Sequence, residues 1–146
     1  MERNGARSLM TARWIVTMMY IGPLVVFPFV GRAVKSPISV DPQALRMLAI
    51  ILAVVGLTDY GLSLFLERWL LARARSGSKA GADPVVTAAL TVSALGISLA
   101  AYGLVLTLLG APRWGAMFYV GCALHGFHLM LRWPGYSRAA ERAPYS

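Results

Sequence analysis

The stretch from residue 83 to residue 109 constrains this chain more than any other. It carries no charge between Asp83 and Arg113, and Ala, Gly and Ser recur along it. A run of about 20 apolar residues is long enough to cross the hydrocarbon core of a bilayer as a helix. Small residues let neighbouring helices approach closely in lipid, where dispersion forces hold them together. The stretch therefore predicts a membrane-spanning helix against which other helices pack.

Three further apolar runs predict an all-α membrane protein with four transmembrane helices in two hairpins. The four runs cover residues 14–30, 45–71, 85–109 and 114–131. They are too long and too continuously apolar for barrel strands, and only helices and closed barrels satisfy the backbone in lipid. The 146 residues suit one domain. The polar residues 135–146 are expected to form a disordered tail.

Local signals mark the boundaries of these runs. Asp41–Pro42 predicts a helix start with the carboxylate as its cap, and Asp83–Pro84 repeats the pattern. Pro23 is expected to kink the first helix and Pro28 to help end it. A basic start before an apolar run also fits a secretory signal. Because this run is bulky and lacks a small-x-small cleavage site, we favour an uncleaved anchor. Residues 76–82 are expected to be a linker.

The charges predict an orientation. The chain is 58% hydrophobic and 14% charged, whereas a soluble domain is about a quarter charged. With four spans, ten of the 14 Lys and Arg residues fall on the side of both termini. The positive-inside rule then places both termini in the cytoplasm and the chain in the inner membrane as a multi-pass protein. The ten are Arg3, Arg7, Arg13, Arg68, Arg73, Arg75, Lys79, Arg132, Arg138 and Arg142, and the four are Arg32, Lys35, Arg46 and Arg113.

The remaining composition argues against several classes of protein. The sequence has no phosphate-binding Gly loop, nucleophile elbow, zinc-ligand spacing or paired carboxylates. Membrane topology accounts for the net charge of +8 without nucleic acid. We therefore expect no cofactor, no metal and no nucleic-acid partner. The four tryptophans fall at run ends, as expected for an interfacial aromatic belt: Trp14, Trp69, Trp114 and Trp133.

Asp59 is the one acidic residue near the middle of a predicted span. A charged carboxylate at mid-bilayer costs about 2.5–3.5 kcal/mol on insertion scales. Asp59 is therefore either an ion or proton site, or a neutral carboxyl hydrogen-bonded within the bundle. His125 and His128 share a face of the fourth helix. His125 could pair with Asp59, and His128 is expected at the interface. A metal at the two histidines would need ligands that the chain lacks.

Small residues on the last two helices indicate close helix packing. Gly96 and Ala100 form a small-xxx-small pair, Gly103 follows them, and Gly121 thins the fourth helix. In lipid such positions let two backbones approach each other. We expect these four residues to serve packing.

The third and fourth runs resemble the helical hairpin of the ATP synthase c subunit. The segment GISLAAYGLVL at residues 96–106 carries the likeness. In that family an ion-carrying carboxylate lies just under two helical turns before the Gly of a similar Tyr/Phe-Gly-Leu-Val stretch. Here Ile97 occupies that position, and no acid replaces it in the third run. The family's ion-binding role is therefore not carried over to Ile97.

The chain as a whole resembles uncharacterised bacterial four-helix membrane proteins that pair a c-like second hairpin with a different first one. The segment DYGL at residues 59–62 echoes AYGL at residues 101–104. If the echo is a duplication, Asp59 is the candidate to supply the carboxyl that Ile97 lacks.

Three functions follow from these observations, in order of preference. The first is a non-enzymatic accessory or self-associating subunit, whose partners are the lipid bilayer and either other membrane subunits or a second copy. The second is c-like proton or ion handling with Asp59 as the titrating group. The third is an enzyme acting on a lipid at the cytoplasmic interface through His125 and His128.

Overall fold

The computed structural model describes residues 2–34, 40–75 and 84–142. Within these ranges the chain forms four α-helices, which confirms the all-α architecture. The helices are α1 (Glu2–Ala33), α2 (Pro42–Arg75), α3 (Pro84–Leu108) and α4 (Pro112–Arg142).

Three of the described helices contain a segment long and apolar enough to cross a membrane. These segments are Leu9–Ala33, Pro42–Arg73 and Val85–Leu108. At about 1.5 Å per residue, each exceeds the hydrocarbon thickness of roughly 30 Å. The fourth predicted span, within α4, is not one of these three. Its run from 114 to 131 contains two histidines and three glycines, which lower its mean hydropathy.

The third helix is the centre of the bundle. α3 packs against α1, α2 and α4, whereas the backbones of α1 and α2 do not come close to each other within the described ranges. Its packed face consists largely of small residues, including Ala88, Ala89 and Ala100, each at most 1% exposed. The prediction that other helices pack against this stretch is confirmed.

The helices alternate in direction, so the bundle has two distinct ends. At the turn end, where α3 passes into α4, the start of α2 lies beside the start of α4. Toward the terminal end, where α1 begins and α4 ends, Glu67 of α2 lies beside Arg132 of α4. α2 therefore runs parallel to α4 and antiparallel to α3. Gly31 near the end of α1 lies against Thr107 near the end of α3, so α1 runs parallel to α3 and antiparallel to α2.

The prediction of a disordered tail from residue 135 is wrong up to residue 142, because α4 continues through Pro134 to Arg142. Tyr136 and Ala139 are each 1% exposed and belong to the same buried cluster as Leu9 and Ala12 of α1. Burial against α1 thus stabilises this segment as a helix, although its polar composition predicts disorder. Residues 143–146 lie outside the described part of the chain.

The prolines of the first helix do not end it. Pro23 and Pro28 both lie inside α1, which continues to Ala33. The predicted start of α2 is confirmed, since the Asp41 carboxylate accepts the Ala44 N–H at 3.1 Å. The corresponding Asp83 and the predicted linker 76–82 lie outside the described residues.

The tryptophans divide into two groups. Trp14, Trp69 and Trp114 are 59%, 47% and 41% exposed, as side chains at a lipid interface would be. Trp133 is 7% exposed and stacks on Tyr136 with ring centroids 5.7 Å apart. Trp133 is therefore a core residue at the terminal end and does not contribute to an outward-facing belt.

Candidate functional site

Asp59 lies half-buried on α2 and faces α3. Its Oδ2 accepts hydrogen bonds from the Ser98 hydroxyl at 2.7 Å and from the Tyr102 hydroxyl at 2.8 Å. Ser98 and Tyr102 are one helical turn apart on one face of α3, so both hydroxyls reach the same oxygen. The Asp59 carboxyl thus joins α2 to α3 through two hydroxyls of one α3 face.

The Ser98 hydroxyl has two acceptor groups at equal distance. Its Oγ is 2.7 Å from Asp59 Oδ2 and 2.7 Å from the Leu95 carbonyl oxygen. A serine hydroxyl has one proton to donate and can also accept. A protonated Asp59 could donate to Ser98 while Ser98 donates to Leu95, which satisfies both contacts. With a carboxylate at Asp59, the two acceptors would have to share the single Ser98 proton.

His125 of α4 lies where all four helices meet, and it is 3% exposed. Its Nδ1 is 2.6 Å from the Tyr20 hydroxyl of α1, and its Nε2 is 3.0 Å from the Ser63 hydroxyl of α2. On α3, a Cβ at Gly96 would overlap both the His125 ring and the Tyr20 hydroxyl. The glycine therefore admits the imidazole to the centre of the bundle.

The hydrogen-bond donors around His125 can be ordered by counting protons. The Ser63 hydroxyl is 2.7 Å from the Tyr60 carbonyl oxygen, which can only accept, so Ser63 donates there. Ser63 then accepts from His125 Nε2–H, and His125 Nδ1 accepts from the Tyr20 hydroxyl. A directed chain thus runs from Tyr20 through a neutral His125 and Ser63 to the α2 backbone. Both ring nitrogens of His125 are thus hydrogen-bonded to side chains of neighbouring helices.

Asp59 and His125 belong to separate clusters of the described structure. Both ring nitrogens of His125 have other partners, and the Asp59 hydrogen bonds go to α3. The next residue, Tyr60, holds its ring edge-on to His125 with centroids 5.5 Å apart. Successive residues on a helix point about 100° apart. When Tyr60 faces α4, Asp59 is therefore turned toward α3 instead.

His128 does not join His125 in a shared site. It is half-buried one turn nearer the terminal end, and its Nε2 has no hydrogen-bond partner within the described residues. The two histidines therefore do not present two free ring nitrogens to a common ligand.

Sequence reasoning missed a buried polar cluster at the terminal end. Glu67 of α2 is 2% exposed, and its Oε1 is 3.3 Å from Arg132 Nε. Burial raises the pKa of Tyr136, and the neighbouring Glu67 carboxylate raises it further. The Tyr136 phenol therefore keeps its proton. The one available signal was spacing, because Glu67 lies one turn beyond Ser63 on the same face of α2.

The four residues predicted to serve packing differ in how tightly they are held. Ala100 is fully buried, and a Cβ at Gly103 would lie 2.9 Å from the Gly115 carbonyl oxygen. Gly96 is the tightest, as described above. Gly121 has room for a methyl group, since its nearest neighbour would be Leu99 Cδ1 at 3.7 Å.

Three kinds of comparison with known proteins found no relative of this chain. No family model, no curated protein and no solved structure matches the chain.

Proposed function

We propose that this chain is a four-span protein of the inner membrane, with both termini in the cytoplasm, that acts without catalysis as a self-associating or accessory subunit. Three segments of sufficient length and apolarity support the membrane location. α4 packs along α3 and also contacts α1 and α2, which supports its crossing with them. Exposed arginines at the terminal end support the orientation under the positive-inside rule: Arg13, Arg68, Arg73, Arg132 and Arg138.

One observation carries the subunit role. α3 has one open side, because the backbones of α1 and α2 do not come close to each other within the described ranges. Along the open side, Thr87, Ala94, Ala101 and Val105 are exposed. A helix face of small residues between two apolar walls allows another transmembrane helix to approach closely.

Self-association is tested by co-purification and mass. Two differently tagged copies are co-expressed, extracted in mild detergent and captured through one tag, and the particle mass is measured by light scattering. We expect the second tag at a fixed ratio, and loss of it in Ala101→Leu, which fills the open side of α3. Ala53→Leu is the matched control, since Ala53 is exposed on α2. A monomeric wild-type protein with no stoichiometric partner would refute the subunit role.

Proton or ion handling by Asp59 is the second candidate, and a different observation favours it. The carboxyl is half-buried rather than enclosed, and the Ser98 contacts accommodate a proton on it. Labelling with a hydrophobic carbodiimide, which reacts with protonated carboxyls, tests this role. We expect modification at Asp59 that slows at high pH or in Na⁺, and none in Asp59→Asn. An Asp59 that stays unreactive at every pH would eliminate this candidate.

A further inference from the structure

A cavity of about 490 Å³ opens at the turn end of the bundle. Its walls are the start of α2 and the α3–α4 turn with the start of α4. Sites for small molecules are typically clefts of about 300–1,000 Å³. The lining residues are Pro42, Leu45, Arg46, Gly110, Ala111, Pro112, Arg113 and Trp114.

The turn that shapes the cavity follows from local sequence. Gly110 adopts a φ of 87°, which L side chains rarely take, and it ends α3. The Ala111 N–H bonds back to the Leu106 carbonyl at 2.8 Å, and α4 starts at the next residue, Pro112. The turn thereby brings the start of α4 directly beside the start of α2.

The cavity is electropositive. Arg46 and Arg113 both line it, and none of its lining residues is acidic. Asp41 precedes the lining residue Pro42, but its carboxylate caps α2 by accepting the Ala44 N–H. Arg113 lies in the first turn of α4, where the positive end of the helix dipole makes a cation unfavourable. Both arginines are exposed at the cavity, so a bound anion could contact them and would offset the unfavourable position of Arg113.

The start of α4 also supplies free donors. Ala111 stands at the capping position and has no side-chain acceptor, in contrast to Asp41 at the start of α2. The first N–H groups of a helix have no partner within it. The N–H groups of Arg113 and Trp114 are therefore available beside the arginine pair. This combination of guanidinium and first-turn N–H donors suits phosphate oxygens.

The rest of the lining is apolar and lies at interfacial depth. Leu45, Ala111 and the half-exposed indole of Trp114 supply apolar surface to the cavity. The membrane-spanning segment of α2 begins at Pro42, and tryptophan is typical of the headgroup level. We propose that this cavity binds the phosphate group of an anionic phospholipid. The inference rests on the membrane location and is independent of self-association.

The experiment titrates detergent-solubilised full-length protein with phosphatidylglycerol and measures bound lipid by native mass spectrometry. We expect one tightly retained lipid, and an affinity at least about tenfold weaker in Arg46→Gln/Arg113→Gln, because charge-assisted hydrogen bonds are lost. Arg68→Gln/Arg138→Gln, which removes two exposed arginines at the terminal end, is the matched control and should bind as the wild type does. Equal binding in both double variants, or an equal loss in both, would overturn the proposal.

Two further arms identify the source of the phosphate and guard against misfolding. Phosphatidylcholine should bind more weakly than phosphatidylglycerol at the same concentration, and inorganic phosphate should not displace the lipid. Displacement by inorganic phosphate at equal concentration would mean a free-phosphate site and would refute the lipid assignment. If the double variant loses its helical circular dichroism, Arg113→Gln alone carries the test, with Arg138→Gln as its control.

Discussion

Asp59 and His125 are both polar residues in apolar runs, yet they differ in burial and in the helices to which they form hydrogen bonds. His125 is enclosed by all four helices and uses both ring nitrogens, one toward α1 and one toward α2. Asp59 is half-buried at the seam between two helices, and both of its hydrogen bonds arrive at one oxygen. The histidine therefore links α1 and α2 through α4, whereas the carboxyl links only α2 and α3.

Removing the imidazole should produce the largest loss of stability. His125→Ala leaves a cavity and deprives Tyr20 and Ser63 of their partners, so we expect a cost of about 4 kcal/mol. The measurement is the free energy of unfolding in mixed detergent micelles. Phe127→Ala is the control, because Phe127 is 62% exposed on the same helix. If both variants unfold at the same denaturant concentration, the contacts of His125 do not stabilise the helix bundle.

Truncating the buried acid at the terminal end should cost less than removing the histidine. Glu67→Ala leaves a void and removes the partner of Arg132, and we expect about 2 to 3 kcal/mol. The loss stays below the range for fully buried pairs because Arg132 is 41% exposed and can be hydrated. Glu67→Gln, which retains an acceptor, should recover much of the loss in the same assay. A Gln variant as unstable as the Ala variant would contradict this view.

A substitution at Gly96 tests whether the missing side chain at this position allows His125 to pack closely against α3. Gly96→Ala places a methyl group into the His125 ring and the Tyr20 hydroxyl, so we expect a loss of about 1 to 2 kcal/mol. Gly121→Ala is the matched substitution with room for the methyl group, and it should be neutral or slightly stabilising. The thermal midpoints of the two variants in detergent decide this point. Similar midpoints would show that the neighbouring side chains move aside for a methyl group at Gly96 without a loss of stability.

Asp59→Asn should have the smallest effect on stability. The amide oxygen can still accept from Ser98 and Tyr102, so we expect a loss of less than about 1 kcal/mol. The unfolding assay used for His125→Ala gives the comparison directly. A loss of stability as large as that of His125→Ala would mean that the Asp59 and His125 hydrogen bonds stabilise the bundle equally. The proposed difference between the two residues would then be wrong.

The fold could be read from the sequence further than the site could. The apolar runs indicated four helices, and the small residues of α3 identified the helix on which the others pack. The helical segment after Pro134 escaped prediction because its buried residues, Tyr136 and Ala139, are spaced among polar ones. Glu67 escaped prediction for a similar reason, since it stands beside the exposed Arg68 while its own side chain is buried.

Partner choice was beyond the sequence altogether. Tyr20 binds a histidine 105 residues away, and Asp59 binds a serine 39 residues away. Nothing local marks Tyr20 as the partner of His125. Periodicity indicates which residues share a face of one helix. It does not indicate which face of a neighbouring helix packs against that face.

The sequence by itself determined the helical class, three segments suited to a membrane, the cap at Asp41 and the central place of α3, because these depend on runs and spacings within one segment. Only the tertiary structure decided that His125 is enclosed, that Asp59 stays half-buried and that Arg46 meets Arg113 at one cavity. A hydrogen bond forms only within about 3 Å. Rotating one helix by a single residue, about 100°, would exchange the partners of each polar side chain.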